Sequence, residues 1–170
     1  VSVTEMSWKE VDVVRGYLGY SRQLLPLYTP DAVRQVLLDQ PEFAELLANA
    51  FRVKFNPDMK LSAKGRSDAF AKIEAQFKDA LRDVTSYSRD RVLKMLFNLI
   101  DATLRTNFYR EDKVDHYISF KLKCSAVPGS GRRARAARIM GDGVYLDAAG
   151  NLISAPDVYC SLVEHFERWA

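Results

Sequence analysis

The chain has 170 residues, 48% hydrophobic and 28% charged, the composition of one globular domain with a small appendage and enough apolar content for a buried core. A formal charge of +3 is too small to argue by itself for nucleic acid, and two cysteines, Cys124 and Cys160, make no disulfide framework, so a reducing, cytoplasmic setting is expected. No charge-free apolar run reaches the roughly 18 residues of a membrane span and no basic-then-apolar leader opens the chain; its start at Val1 suggests a piece of a longer polypeptide.

Helical punctuation dominates the first half. Ser7 and Glu10 form an S-x-x-E capping box that opens a helix from Trp8 to Leu25, closed by Pro26. Gly16 and Gly19 lie inside it at a cost of about 1 kcal/mol each relative to alanine, so close helix packing, or else a kink, is expected there. Thr29-Pro30 is an N-cap with proline at the first helical position, and Pro41 restarts the pattern, which predicts two short helices over Pro30 to Gln40 and Pro41 to Phe55. Asn56-Pro57 ends the second. Tyr17, Tyr20, Tyr28, Phe51 and Phe55 read as core and rim aromatics.

Asp58 to Ser67 is polar and aperiodic, a loop before a helix that carries Phe70, Ile73, Phe77, Leu81 and Val84 at intervals of three and four. Lys72, Gln76, Asp79 and Asp83 then face water. In the helix after Ser88, Val92, Leu96, Leu99 and Thr103 form one line and Leu93, Phe97, Ile100 and Leu104 the next. Lys94, Asn98, Asp101 and Arg105 leave only a narrow polar stripe, so this helix should be buried on most sides. Ile118, Phe120 and Leu122 alternate with Tyr117, Ser119 and Lys121, the period of a half-buried strand. Gly143 to Leu146 and Leu152 to Ser154 flank a turn containing Gly150, and Pro156-Asp157 opens a last helix with Val158, Leu162, Phe166 and Trp169 on one side. The expected fold is mainly α: a multi-helix bundle over 1–110, then a small α+β appendage over 111–170. That appendage holds a strand near 117–122, a basic loop over 124–140, a hairpin near 143–154 and the final helix.

Candidate chemistry is sparse. Gly129-Ser-Gly131-Arg-Arg-Ala134 fits the relaxed G-x-G-x-x-A form of a phosphate-cradling turn, but Pro128 interrupts the strand that should enter it and only Asp147 is roughly placed to hold a ribose, so an ordinary basic loop fits the context better. Arg132, Arg133, Arg135 and Arg138 crowd seven positions, with no acid between Asp115 and Asp142, and could pair with an oxyanion or an acidic surface. No aromatic side chains interleave them, which disfavours a nucleic-acid site and favours a solvated or partner-facing strip. His116 and His165 are the only histidines; Cys160 and His165 alone fall short of the four ligands of a structural zinc site. Glu111 and Asp112 read as a solvated connector.

Three segments in order carry a family resemblance: WKEVDVVRGYLGYSRQ from Trp8, PEFAELLANAFRVKFNP from Pro41, and RVLKMLFNLIDATLRTNFYR from Arg91 followed by YISFKL and then VPG. This order resembles the large bacterial class of NAD-dependent glutamate dehydrogenases, in the helical region that precedes the catalytic core. The resemblance implies a helix ending in LRTN (Leu104 to Asn107) plus aromatics, a strand SFKL (Ser119 to Leu122), and the dehydrogenase core soon after Val127-Pro-Gly129. The whole enzyme would oxidatively deaminate L-glutamate to 2-oxoglutarate with NAD. Its cofactor turn and catalytic lysines lie further along, so the resemblance assigns this chain no catalytic residue and no cofactor of its own. It implies a regulatory or scaffolding segment, with other domains or subunits of a homo-oligomeric enzyme as partners. It also singles out Arg105, Asn107 and Lys121 at the junction, where Arg105 could simply pair with Asp101 and Asn107 cap the helix. Ser130 to Ala170 departs from the family pattern. The rival reading is a stand-alone interaction module that uses its arginine strip on an acidic protein or nucleic acid.

Overall fold

A computed structural model describes residues 6–25, 27–111, 118–123, 126–127 and 143–145, with backbone alone at 22, 23 and 143–145. The first helices begin where their caps dictate. Ser7 accepts from the Glu10 amide at 3.3 Å and the Glu10 carboxylate accepts from the Ser7 amide at 2.9 Å, which satisfies free donors of the first turn and starts α1, Trp8–Leu24. Thr29 accepts from the Ala32 amide at 3.2 Å ahead of α2, Pro30–Asp39, and Pro41 opens α3, Pro41–Phe55. The loop expected over Asp58 to Ser67 is shorter. A 3-10 turn, Pro57–Met59, leads through Lys60 in the left-handed region (φ 46°) to Ser62, which caps Gly65 at 3.1 Å and starts α4, Ala63–Ala80. A serine cap thus begins the helix well before its apolar periodicity shows. Leu81 and Val84 fall beyond α4, on a second 3-10 turn, Leu81–Asp83, and its end.

The core sits around α5, Tyr87–Ala102, with Leu93, Leu96 and Leu99 fully buried, as the double apolar line predicts. Two aromatic groups connect the layers. Phe77 on α4 packs edge-on to Phe43 of α3 at 5.2 Å and against Phe97 of α5 at 4.5 Å. Phe51 on α3 meets Tyr17 of α1 at 6.3 Å, Phe55 at 5.0 Å and Phe120 at 6.1 Å. Each buried phenylalanine removes enough apolar surface to contribute about 1.5–3 kcal/mol. Arg66 of α4 donates to the Val53 carbonyl at 2.6 Å and to that of Asn56 at 3.0 Å, so one helix caps the end of its neighbour. Gly19 has open space where a Cβ would stand, so close helix packing does not explain it.

The helix-to-strand change comes earlier than the sequence suggests. The LRTN stretch does not end the helix: α5 stops at Ala102 and Thr103–Thr106 is a strand, β1, paired antiparallel with β2, Ser119–Leu122. Three contacts from outside α5 cause this. Thr103 donates its hydroxyl to the Leu99 carbonyl at 2.7 Å, so the buried Tyr17 hydroxyl, 2.8 Å away, must donate to Thr103. Lys54 of α3 donates to the Ile100 carbonyl at 3.2 Å and to that of Asp101, which satisfies the end of α5 from another helix. The Lys123 amide takes the Ala102 carbonyl at 2.7 Å.

A third strand, β3, Gly143–Tyr145, joins β2 on its other side to give the order β1-β2-β3. The strand expected over 117–122 and the first arm of the hairpin expected over 143–154 are therefore neighbours in one sheet. The second arm at 152–154 and the final helix after Pro156 lie outside the described residues. Among the described residues no helix is long and apolar enough to cross a membrane.

Candidate functional site

The junction after β1 is built from local hydrogen bonds. The Phe108 amide donates to the Thr106 hydroxyl at 3.1 Å, and the Arg110 amide donates to the Asn107 carbonyl at 3.1 Å. Asn107 does not cap a helix. Its side-chain oxygen accepts from the Ser119 amide at 2.8 Å and so ties the end of β1 to the start of β2. The turn then aims Phe108 and Tyr109 at Phe51, at 5.4 Å edge-on and 6.2 Å stacked.

Between this turn, the start of α1 and the end of α3 lies a cleft of about 520 Å³, lined on one side by Phe108, Tyr109 and Ile118 and on the other by Trp8, Glu10 and Arg52. Glu10 is its electrostatic centre. Its side chain is 12% exposed; one oxygen accepts from Arg52 Nε at 2.8 Å and also from Nη2, while the other is held by Ser7. Arg52 is steadied by Asn49 at 3.1 Å. Burial pushes the Glu10 carboxyl up, but hydrogen bonds from Ser7 and Arg52, with the guanidinium's charge, hold it below its ordinary value. Burial and then the Glu10 charge push the Tyr109 phenol up to about 12. Near neutral pH Glu10 therefore stays ionised and Tyr109 protonated. The arrangement is a fixed ion pair facing an aromatic wall, and it is suited to holding groups in place.

Of the residues singled out from the sequence, the structure brings Arg105 and Lys121 together, directly opposite each other across β1 and β2. Arg105 does not pair with Asp101, which faces Lys54 at 3.6 Å instead. Gly129, Gly131, Arg132, Arg133, Arg135 and Arg138 lie outside the described residues, as do Cys124, Cys160, His116 and His165. Among the described residues no three of histidine, cysteine, aspartate and glutamate come together as a metal site. The Glu10 to Arg52 pair spans 42 positions and carries no sequence signal; the capping box explains Glu10 without it. Lys54 is likewise hidden among ordinary charged positions. Its ammonium sits over the rings of Phe70 at 5.3 Å and Phe55 at 5.7 Å, and burial lowers its pKa while Asp101 partly opposes the shift.

Comparison with known proteins matches the chain in two segments. Residues 1–57 match the family model of glutamate dehydrogenase, helical motif 3, and residues 76–140 match that of the bacterial NAD-glutamate dehydrogenase, catalytic domain. The resemblance set the core after Gly129, whereas the catalytic-domain match already includes the end of α4, all of α5 and the first two strands. The NAD-specific glutamate dehydrogenase of Pseudomonas aeruginosa is 31% identical over 131 residues, which is 75% of this chain and 8% of that protein. That of Halomonas elongata is 32% identical over 127 residues, 73% of this chain and 8% of that protein, and that of Mycobacterium tuberculosis 33% over 105 residues, 61% and 6%. This chain thus spans less than a tenth of the length of each of these relatives. With two matched segments in the family's order and relatives at this identity over most of its length, the chain belongs to the family of large bacterial NAD-specific glutamate dehydrogenases.

Proposed function

We propose that this chain is a scaffolding and regulatory segment of a large NAD-dependent glutamate dehydrogenase, itself non-catalytic, which seats the beginning of the catalytic domain on the helices that precede it. The whole enzyme would oxidatively deaminate L-glutamate to 2-oxoglutarate with NAD, in the cytoplasm and as a homo-oligomer, and the partners of this segment would be other domains or subunits of that enzyme. The observation that carries the reading is the Phe51 aromatic group. Phe51 and Tyr17 belong to the segment that matches the helical motif, Phe108 and Phe120 to the segment that matches the catalytic domain, and their rings form one cluster in which Tyr17, Phe51 and Phe120 are buried and Phe108 packs against them half-buried. Side chains that interdigitate at native packing density transmit displacement rather than absorb it. A shift of α1 and α3 would therefore be felt at the first strands of the catalytic domain. The purified 170-residue chain, incubated with L-glutamate and NAD, should form no NADH; turnover would overturn the reading.

A further inference from the structure

The outer face of the sheet sets two cations side by side. Across β1 and β2 the partners are Thr103 with Leu122, Arg105 with Lys121 and Thr106 with Phe120, with an irregularity between Thr103 and Arg105. Leu104 is the extra residue of a bulge. Had the ladder run on regularly from Thr103, Leu104 would oppose Lys121, and Arg105 would oppose the buried Phe120 on the inner face. The bulge reverses that parity: Phe120 and Leu122 stay inside, and Arg105 emerges beside Lys121 on the outer face with Leu104, 52% exposed, next to it.

Like charges placed directly opposite each other in a sheet repel. Among the described residues nothing relieves them. Arg105, Lys121 and the exposed Lys123, two positions on, make no ion pair with a described carboxylate, and the nearby Asp101 is engaged by Lys54. Gly143 stands opposite Lys121 on β3, so the same row ends on a residue with no side chain to crowd the cations. A bulge that spends regular pairing to bring two cations together, next to an exposed leucine, is a local conflict of the kind that folds retain for recognition.

From this juxtaposition we infer that the outer face of the sheet docks an acidic polypeptide segment, one carrying two or three carboxylates around a single apolar side chain. The carboxylates would pair with Arg105, Lys121 and Lys123, and the apolar group would cover Leu104. A small oxyanion would satisfy the cations but leave Leu104 in water, and a nucleic acid would want stacking rings among the cations. The inference deepens the scaffolding reading and rests on it for the source of the segment: the relatives carry more than nine tenths of their length outside the matched region, and that is where the segment would be found.

The test uses the whole 170-residue chain and a labelled helical peptide of Glu-Ala repeats with one central leucine, followed by fluorescence anisotropy at low salt. A peptide with glutamine in place of glutamate, a short duplex DNA and inorganic tripolyphosphate serve as the other arms. The wild-type chain should bind the glutamate peptide in preference to all three. Arg105→Gln with Lys121→Gln should weaken binding roughly ten-fold or more, with an unfolding midpoint equal to or above that of the wild type because the repulsion is gone. Leu104→Ser should weaken binding less, and Lys64→Gln with Lys72→Gln on α4 should leave it unchanged. Unaltered binding by the double variant would overturn the inference, as would a clear fall in its unfolding midpoint, equal binding of the glutamine peptide, or tighter binding of DNA or tripolyphosphate. Glutamate turnover by the chain would remove the scaffolding reading and leave this binding result standing.

Discussion

Helices α1 and α5 have 17 and 16 residues and pack against each other, yet they are specified in opposite ways. The first is written locally. Its capping box fixes where it begins, one turn of sequence suffices to see it, and only one face, with Val13, Tyr17 and Leu24, is buried. The second has no side-chain cap at Ser86 and no basic residue in its last turn. It is held by burial of eight side chains, and its C-terminal carbonyls are satisfied by Lys54 from α3. A helix at the periphery carries its own boundary signals, whereas a central one takes them from its neighbours.

The sharpest way to break that contrast is Leu96→Ala in α5. Leu96 is fully buried, so the cavity and lost transfer energy should cost about 2–5 kcal/mol, seen as a lower urea midpoint for the whole chain. Lys54→Met keeps most of the stem but removes the donor that ends α5, and should cost about 1–3 kcal/mol because two terminal carbonyls lose their partner. Chemical denaturation would reveal it, and an unchanged midpoint would mean that α5 ends without help from α3.

Glu10→Gln attacks the local side of the contrast and should cost about 1–2 kcal/mol near neutral pH, through the cap and the Arg52 pair together. The pH dependence follows from the direction of the Glu10 shift. The folded chain holds the carboxyl below its ordinary 4.5, so between the two values the unfolded chain binds more protons. The contribution is complete above 4.5 and is lost as pH falls through the folded value. Stability measured against pH should fall more steeply in the wild type than in Glu10→Gln over that acid range. The smallest effect is a gain. Gly19→Ala adds a methyl group in open space on α1, so thermal unfolding should rise by the equivalent of about 0.5–1 kcal/mol.

The same contrast explains what could be read from the chain. Ser7, Thr29 and the prolines at 30 and 41 delimit three helices to within a residue, because those signals act through neighbouring amides. The start of α4 is missed because a serine cap without apolar periodicity behind it looks like loop. The end of α5 is misplaced for a different reason: Thr103 and Leu104 continue the helical lines, and what turns them into strand is Tyr17, Lys54 and the pairing with β2, all distant in sequence. Site legibility follows the same division. Arg105, Asn107 and Lys121 stand out as polar groups at a junction, but their roles depend on a bulge and a register that no local pattern encodes, and the Glu10 to Arg52 pair is invisible before the chain is folded.

The central claim is that the segments matching the helical motif and the catalytic domain share one cooperative core, joined at Phe51. Native-state hydrogen exchange on the wild-type chain and on Phe51→Ala tests it most directly. The core amides of α1, α3, α5 and β2 should open at one common free energy in the wild type, and all should lose protection together in the variant, by about 3–5 kcal/mol. Loss of protection in α1 and α3 alone, with α5 and β2 as protected as before, would contradict it.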